Sequence, residues 1–149
     1  ARVGFFRARG RFLTLADDHH AVSRYPEADE ILRALPRLKE DLQLNIELAS
    51  PDHFIPPLPG WEERSTYIAR EGSIEFFHYD FYAQALAKIE RGHSTDILDV
   101  RHMVEQGLIE PSRLMEFFTR IEDSLYKYPA VDAEAFRTAV EEFLKKQQR

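Results

Sequence analysis

From Asp80 to the end of the chain, helix start and stop signals alternate at intervals short enough that only an array of brief helices satisfies them. Asp80 can cap a helix running to about Arg91, with Gly92 placed to end it in a left-handed conformation. Ser94 or Thr95 can cap the next, which runs to about Gln106 with Gly107 behind it. Pro111 suits the first turn of a third helix, whose buried face is Leu114, Phe117, Phe118, Ile121 and Leu125. The last starts at Asp132, with Val131 and Phe136 forming a hydrophobic staple and Phe136, Val140, Phe143 and Leu144 facing the core. Residues 79–149 therefore read as a small helical bundle.

The first half obeys a different period. "STYIAREGSIEFFHYD" reads as a hairpin with Glu71 and Gly72 at its turn. "LQLNIELAS" alternates, with Leu42, Leu44, Ile46 and Leu48 on one face and Glu47 on the polar face, the pattern of a half-buried strand. "PEADEILRALPRLKEDLQ" has helical spacing, kinked or divided at Pro36. "PDHFIPPLPGW" is a proline-rich connector or lid, and residues 1–25 show no sustained period. The expectation is an α+β chain, with an α/β part over 1–78 and a helical part over 79–149 forming one structural unit.

At 149 residues with 44% hydrophobic and 31% charged residues, the chain has material for one globular domain. A net charge of -6 and a pI near 5.5 argue against a sequence-independent nucleic-acid binder and against attraction to an anionic membrane. No apolar run approaches the roughly 20 residues that cross a bilayer. The absence of cysteine removes disulfides, thiolate metal sites and a cysteine nucleophile, and fits a reducing compartment, so a cytoplasmic location is expected.

Chemistry concentrates in "ALAKIERGHSTDILDV". Ile97, Val100, Met103 and Val104 form an apolar stripe, with Asp96 on its edge and Asp99 about 60° further round. Lys88 lies on the preceding helix, aligned with Phe81 and Ala85. Two carboxylates and an ammonium converging across the "RGHST" turn can orient a polyphosphate or an attacking hydroxyl, or can simply tie adjacent helices by an ion pair. His93 in that turn is placed to touch phosphate, and Arg91 and Arg101 either add positive charge or pair with acidic groups. His53 and His78 either line a pocket or serve structure, and Trp61, Tyr67, Phe76, Phe77, Tyr79, Phe81 and Tyr82 read as core rather than a stacking platform. Asp17, Asp18, His19 and His20 are donor types for a transition metal, or a solvated turn.

The same residues carry a family resemblance. "ALAKIERGHSTDILDVRHMVEQGLI" resembles the helical part of AbiEii-type nucleotidyltransferase-like proteins, members of the DNA polymerase beta nucleotidyltransferase superfamily, and the likeness spans residues 26–120. In that family an apolar helix bears a Lys and the next helix an Asp followed by a second acidic residue one turn on, positions matched by Lys88, Asp96 and Asp99. The resemblance implies a partial nucleotidyltransferase-type sheet with helices, followed by the helical bundle. It implies transfer of a nucleotide from a nucleoside triphosphate to a hydroxyl acceptor with Mg2+, since metals clamp the attacking and leaving oxygens. Lys88 would contact phosphate, Asp96 and Asp99 would orient it or assist the acceptor, and Glu47 would be the third metal carboxylate. A toxin-antitoxin or resistance-type setting follows, with an antitoxin or a second copy as partner.

The chain departs from the pattern upstream. Where the family has a glycine pair, a short helix and two aspartates one residue apart, "VGFFRARGRFLTLADDHHAVSRY" stands. Asp17 and Asp18 are adjacent, so on a strand they would face opposite ways. Truncation, or a changed reading frame in the coding DNA, accounts for such a replacement. Two readings follow: a nucleotidyltransferase-like protein with impaired transfer, or a catalytically inactive binding or oligomerisation module of the same descent.

Overall fold

The computed structural model describes residues 4–8, 11–13, 33, 37, 40, 54–71 and 74–147. Glu47, Asp17, Asp18, His19, His20, His53 and the alternating segment 42–50 lie outside the described residues. Arg33, Arg37 and Glu40 are helical, in the stretch where the spacing predicts a helix.

The fold is α+β and mostly helical, with a small antiparallel sheet. Strand β1 (Gly4–Ala8) pairs with β2 (Arg11–Leu13), and β3 (Thr66–Glu71) pairs with β4 (Ile74–His78). β1 also pairs antiparallel with β4, in register from Gly4 opposite His78 to Ala8 opposite Ile74, which gives the order β2-β1-β4-β3. The expected hairpin is present, with Glu71 on the strand opposite Ile74 rather than in the turn. A register shift between Tyr67 and Ala69 breaks the ladder of β3, an edge strand. The expectation of no regular structure in residues 1–25 is corrected by β1 and β2. β1 is paired with a strand some seventy positions away, which no local period reveals, and β2 is paired with β1.

The proline segment is an ordered strap. Ile55 and Leu58 are 1% and 0% exposed and Pro56 is buried, so three residues of "FIPPL" are pinned in the core. Gly60, at φ 72°, then turns the chain into a four-residue helix, α1 (Trp61–Arg64), where the sequence reads only as loop. Trp61 packs on Tyr79, ring centroids 4.7 Å apart.

β4 leads through Tyr79 and Asp80 into α2 (Phe81–Arg91). This helix is central: it contacts α3 (Ser94–Glu105), α4 (Ser112–Glu122) and α5 (Ala133–Gln147). Its three alanines are strong helix formers and small enough for neighbours to approach closely, and Ala83 and Ala85 are buried beside Leu86 and Ile89. The core is aromatic around Phe117, whose ring lies 4.7 Å from that of Tyr82, while Phe118 meets Phe136 edge-on at 4.9 Å. Phe117 is fully buried, so its truncation to Ala removes about 3–5 kcal/mol.

The capping expectations hold at four of the helix ends, one of them the end of the Ser94–Glu105 helix, where Gly107 follows at φ 68°. Asp80 accepts a hydrogen bond from the backbone N–H of Tyr82, Gly92 closes α2 at φ 68°, and Asp132 accepts from the N–H of Ala135. Two starts are corrected. The residue preceding α3 is His93, not Ser94 or Thr95, and it caps with no side chain; Pro111 likewise stands just before α4 rather than inside its first turn. A 3-10 turn, Leu125–Lys127, buries Leu125 between α4 and α5.

Candidate functional site

The site is built by the turn between α2 and α3. Gly92 adopts the left-handed conformation, and its N–H donates to the carbonyl of Lys88 at 3.1 Å. The reversal is tight, and it lays the last turn of α2 against the first two turns of α3.

Lys88 is thereby brought between two carboxylates. Its Nζ donates to Oδ2 of Asp99 at 2.7 Å and to Oδ1 of Asp96 at 3.2 Å. The same Asp96 oxygen accepts from Nη2 of Arg91 at 2.8 Å. Lys88 and Asp96 are buried, at 5% and 6% exposure, whereas the Asp99 side chain retains 35%. Among the described residues, Lys88 and Arg91 are each paired with a carboxylate of the cluster, as low-dielectric burial demands. Asp96 also sits in the first turn of α3, where the helix dipole favours an anion.

Electrostatics distinguish the two carboxylates by exposure. The hydrogen bond from Lys88 is the foremost cause holding the Asp99 carboxyl down at about 2, so Asp99 is ionised across the physiological range. On the neighbouring turn of α2, burial pushes Glu90 above the usual carboxylate range and the Arg91 charge opposes it.

The three residues singled out by the sequence are thus brought together. His93 is exposed at the start of α3, and no hydrogen bond or ion pair joins it to the cluster among the described residues. Arg91 takes the acid-pairing alternative, while Arg101 is exposed. The aromatics split. Phe77, Tyr79 and Tyr82 are buried and Trp61 and Phe81 partly so, but Tyr67 on the edge strand is 54% exposed. His78 stacks on Phe81 at 5.5 Å.

One residue beside the site is absent from the sequence reading. The Arg91 guanidinium lies 5.7 Å from the ring centre of Phe54, which is 37% exposed at the head of the proline strap. The available signal was a large aromatic next to prolines, which punctuate chains without revealing what they face.

No family model, no curated protein and no solved structure matches this chain.

The metal carboxylate that the resemblance implies, Glu47, lies outside the described residues. Among the described residues no three of Asp, Glu and His are gathered as metal donors. Asp96 and Asp99 direct oxygens at Lys88 and Arg91 instead. What the cluster offers is a buried ammonium with one partner, Asp99, at the solvent edge.

Proposed function

We propose that the chain is a nucleotidyltransferase-like protein in which Lys88 is the phosphate-facing cation and in which nucleotide transfer to a hydroxyl acceptor is impaired. The observation that carries this reading is the convergence of Lys88, Asp96 and Asp99 across the Gly92 turn, the arrangement that the family resemblance leads one to expect. An anion reaching Lys88 competes with Asp99, the exposed partner, while the buried Asp96 stays held by Arg91. In this reading Asp99 occupies the lysine until phosphate arrives, and Asp96 keeps the ammonium oriented. The partial nucleotidyltransferase-type sheet, the Mg2+ requirement, the toxin-antitoxin setting, and Glu47 as a metal carboxylate belong to the same proposal.

A second reading draws on the saturation of the cluster. Every charge in it already has a protein partner, which is what a catalytically inactive binding or oligomerisation module requires to hold α2 on α3.

Calorimetric titration of the chain with ATP and Mg2+ separates the two. The nucleotide reading requires binding that Lys88→Ala weakens, with Lys88→Met as a second variant that preserves the buried methylenes. Binding that is millimolar or weaker and indifferent to both substitutions eliminates it in favour of the module.

A further inference from the structure

The proline strap and the end of α2 share an edge that neither reading above uses. Ile55, Pro56 and Leu58 fix the strap in the core, so the backbone that carries Phe54 is anchored within one residue of it. The ring itself is left 37% exposed, although Ile55, Pro56 and Leu58 after it are buried. The Arg91 guanidinium faces it at 5.7 Å, near the outer limit of about 6 Å for a cation over a ring. The arginine side chain is itself 41% exposed. Both partners of this contact are open to solvent.

Arg91 also connects this edge to the cluster. Its Nη2 holds the Asp96 oxygen that Lys88 shares, so an unbroken path runs from Phe54 through Arg91 and Asp96 to Lys88 and Asp99. A flat π-face lies at one end and a buried ammonium at the other. The ligand that matches both is a planar heteroaromatic ring with an anionic tail. A ring stacks on the exposed phenyl face or slides under the planar guanidinium, and both are sequence-tolerant contacts available to any nucleobase.

We propose that Phe54 and Arg91 form a nucleobase-stacking subsite whose bound mononucleotide directs its phosphates toward Lys88. The phosphate half rests on the reading of Lys88 given above, but the stacking half stands on the strap and is tested apart from it. Phe54 is the stacking platform, fixed before the ligand arrives. Arg91 has two tasks, closing over the base and holding Asp96 against Lys88, so its loss is felt at both ends.

The test is calorimetric titration of the full chain with ATP, with adenosine and with inorganic tripolyphosphate, each with Mg2+, repeated on Phe54→Ala, Phe54→Tyr and Lys88→Met. Stacking predicts that ATP binds tighter than tripolyphosphate, that Phe54→Ala weakens ATP about tenfold while leaving tripolyphosphate unchanged, and that Phe54→Tyr restores the difference. The Phe54→Tyr variant keeps the strap packed, so a folding defect in Phe54→Ala is recognised by an equal loss for both ligands. Equal affinity of the wild-type chain for ATP and tripolyphosphate overturns the subsite and leaves the lysine reading standing. ATP binding that depends on Phe54 but not on Lys88 keeps the subsite and overturns the phosphate role of Lys88. Absence of measurable binding for both ATP and adenosine overturns both.

Discussion

At its first turn α2 holds Asp80 against Arg64, and at its last turn it holds Lys88 against Asp96 and Asp99. Both clusters tie α2 to another helix. They differ in how completely the buried ion is enclosed. Asp80 is 1% exposed; one of its oxygens accepts from the Tyr82 N–H at 3.0 Å and the other from Nε and Nη2 of Arg64 at 3.1 and 2.7 Å. Nothing reaches that carboxylate without dismantling the start of the helix. Lys88 is as deeply buried, but the partner nearest to it stands at the solvent edge. The first cluster is built to stay shut, whereas the second can exchange one partner without unfolding.

The difference is breakable by mutation, and the largest effect is expected at the closed end. Asp80→Ala removes a helix cap and strands a partly buried guanidinium, with an expected loss of about 3–5 kcal/mol in urea unfolding. Asp80→Asn retains the cap and loses the charge, so it isolates the ion pair. If Asp80→Ala costs no more than a surface substitution, the enclosure described here is not what holds α1 to α2.

At the open end, Lys88→Met is expected to cost about 1–3 kcal/mol, less than Asp80→Ala, because Asp96 keeps Arg91 and the Asp99 side chain is 35% exposed. A double-mutant cycle with Asp96→Asn sharpens this, since restoration of stability in the pair locates the cost in the stranded carboxylate. A cost for Lys88→Met equal to that of Asp80→Ala would erase the contrast between the two ends. Gly92→Ala comes next, at about 1 kcal/mol, from the left-handed backbone alone. A Cβ there meets only the Ile89 carbonyl at 3.9 Å, so space is not the obstacle, and a larger loss would mean that the turn also governs the Lys88 cluster.

What was legible in the sequence follows the range of the interactions. Asp80, Gly92 and Asp132 act on backbone groups a few residues away, and the chain alone reveals them. Lys88, Asp96 and Asp99 were also legible, because a glycine turn between two short helices leaves little choice of where their ends meet. The start of α3 was not. Ser94 and Thr95 are good caps locally, yet α3 begins one residue early, where Asp96 falls in the first turn with Lys88 and Arg91 on it. Those tertiary ion pairs outweigh a side-chain cap of about 1 kcal/mol. β1 was missed because it pairs with β4, across most of the first half of the chain, and β2 because its partner is β1. Phe54 was missed for a related reason: its neighbour Arg91 is near in space and distant in sequence.

The smallest effect is expected at Asp99, and pH is the way to read it. Its folded carboxyl is held at about 2, foremost by the Lys88 hydrogen bond, below the ordinary value of 3.8. A depressed folded value means that the ionised form stabilises the fold above about pH 4, and that this contribution fades as pH falls toward 2. Asp99→Asn should therefore be modestly less stable than the wild type at neutral pH, with the gap narrowing between about pH 4 and pH 2. Equilibrium urea unfolding of both proteins across that window measures it. Because the side chain is 35% exposed and water screens it, salt should shrink the neutral-pH gap as well. A gap that is large, independent of salt and constant with pH would make Asp99 as enclosed as Asp80. It would also remove the exchangeable partner through which an incoming anion reaches Lys88.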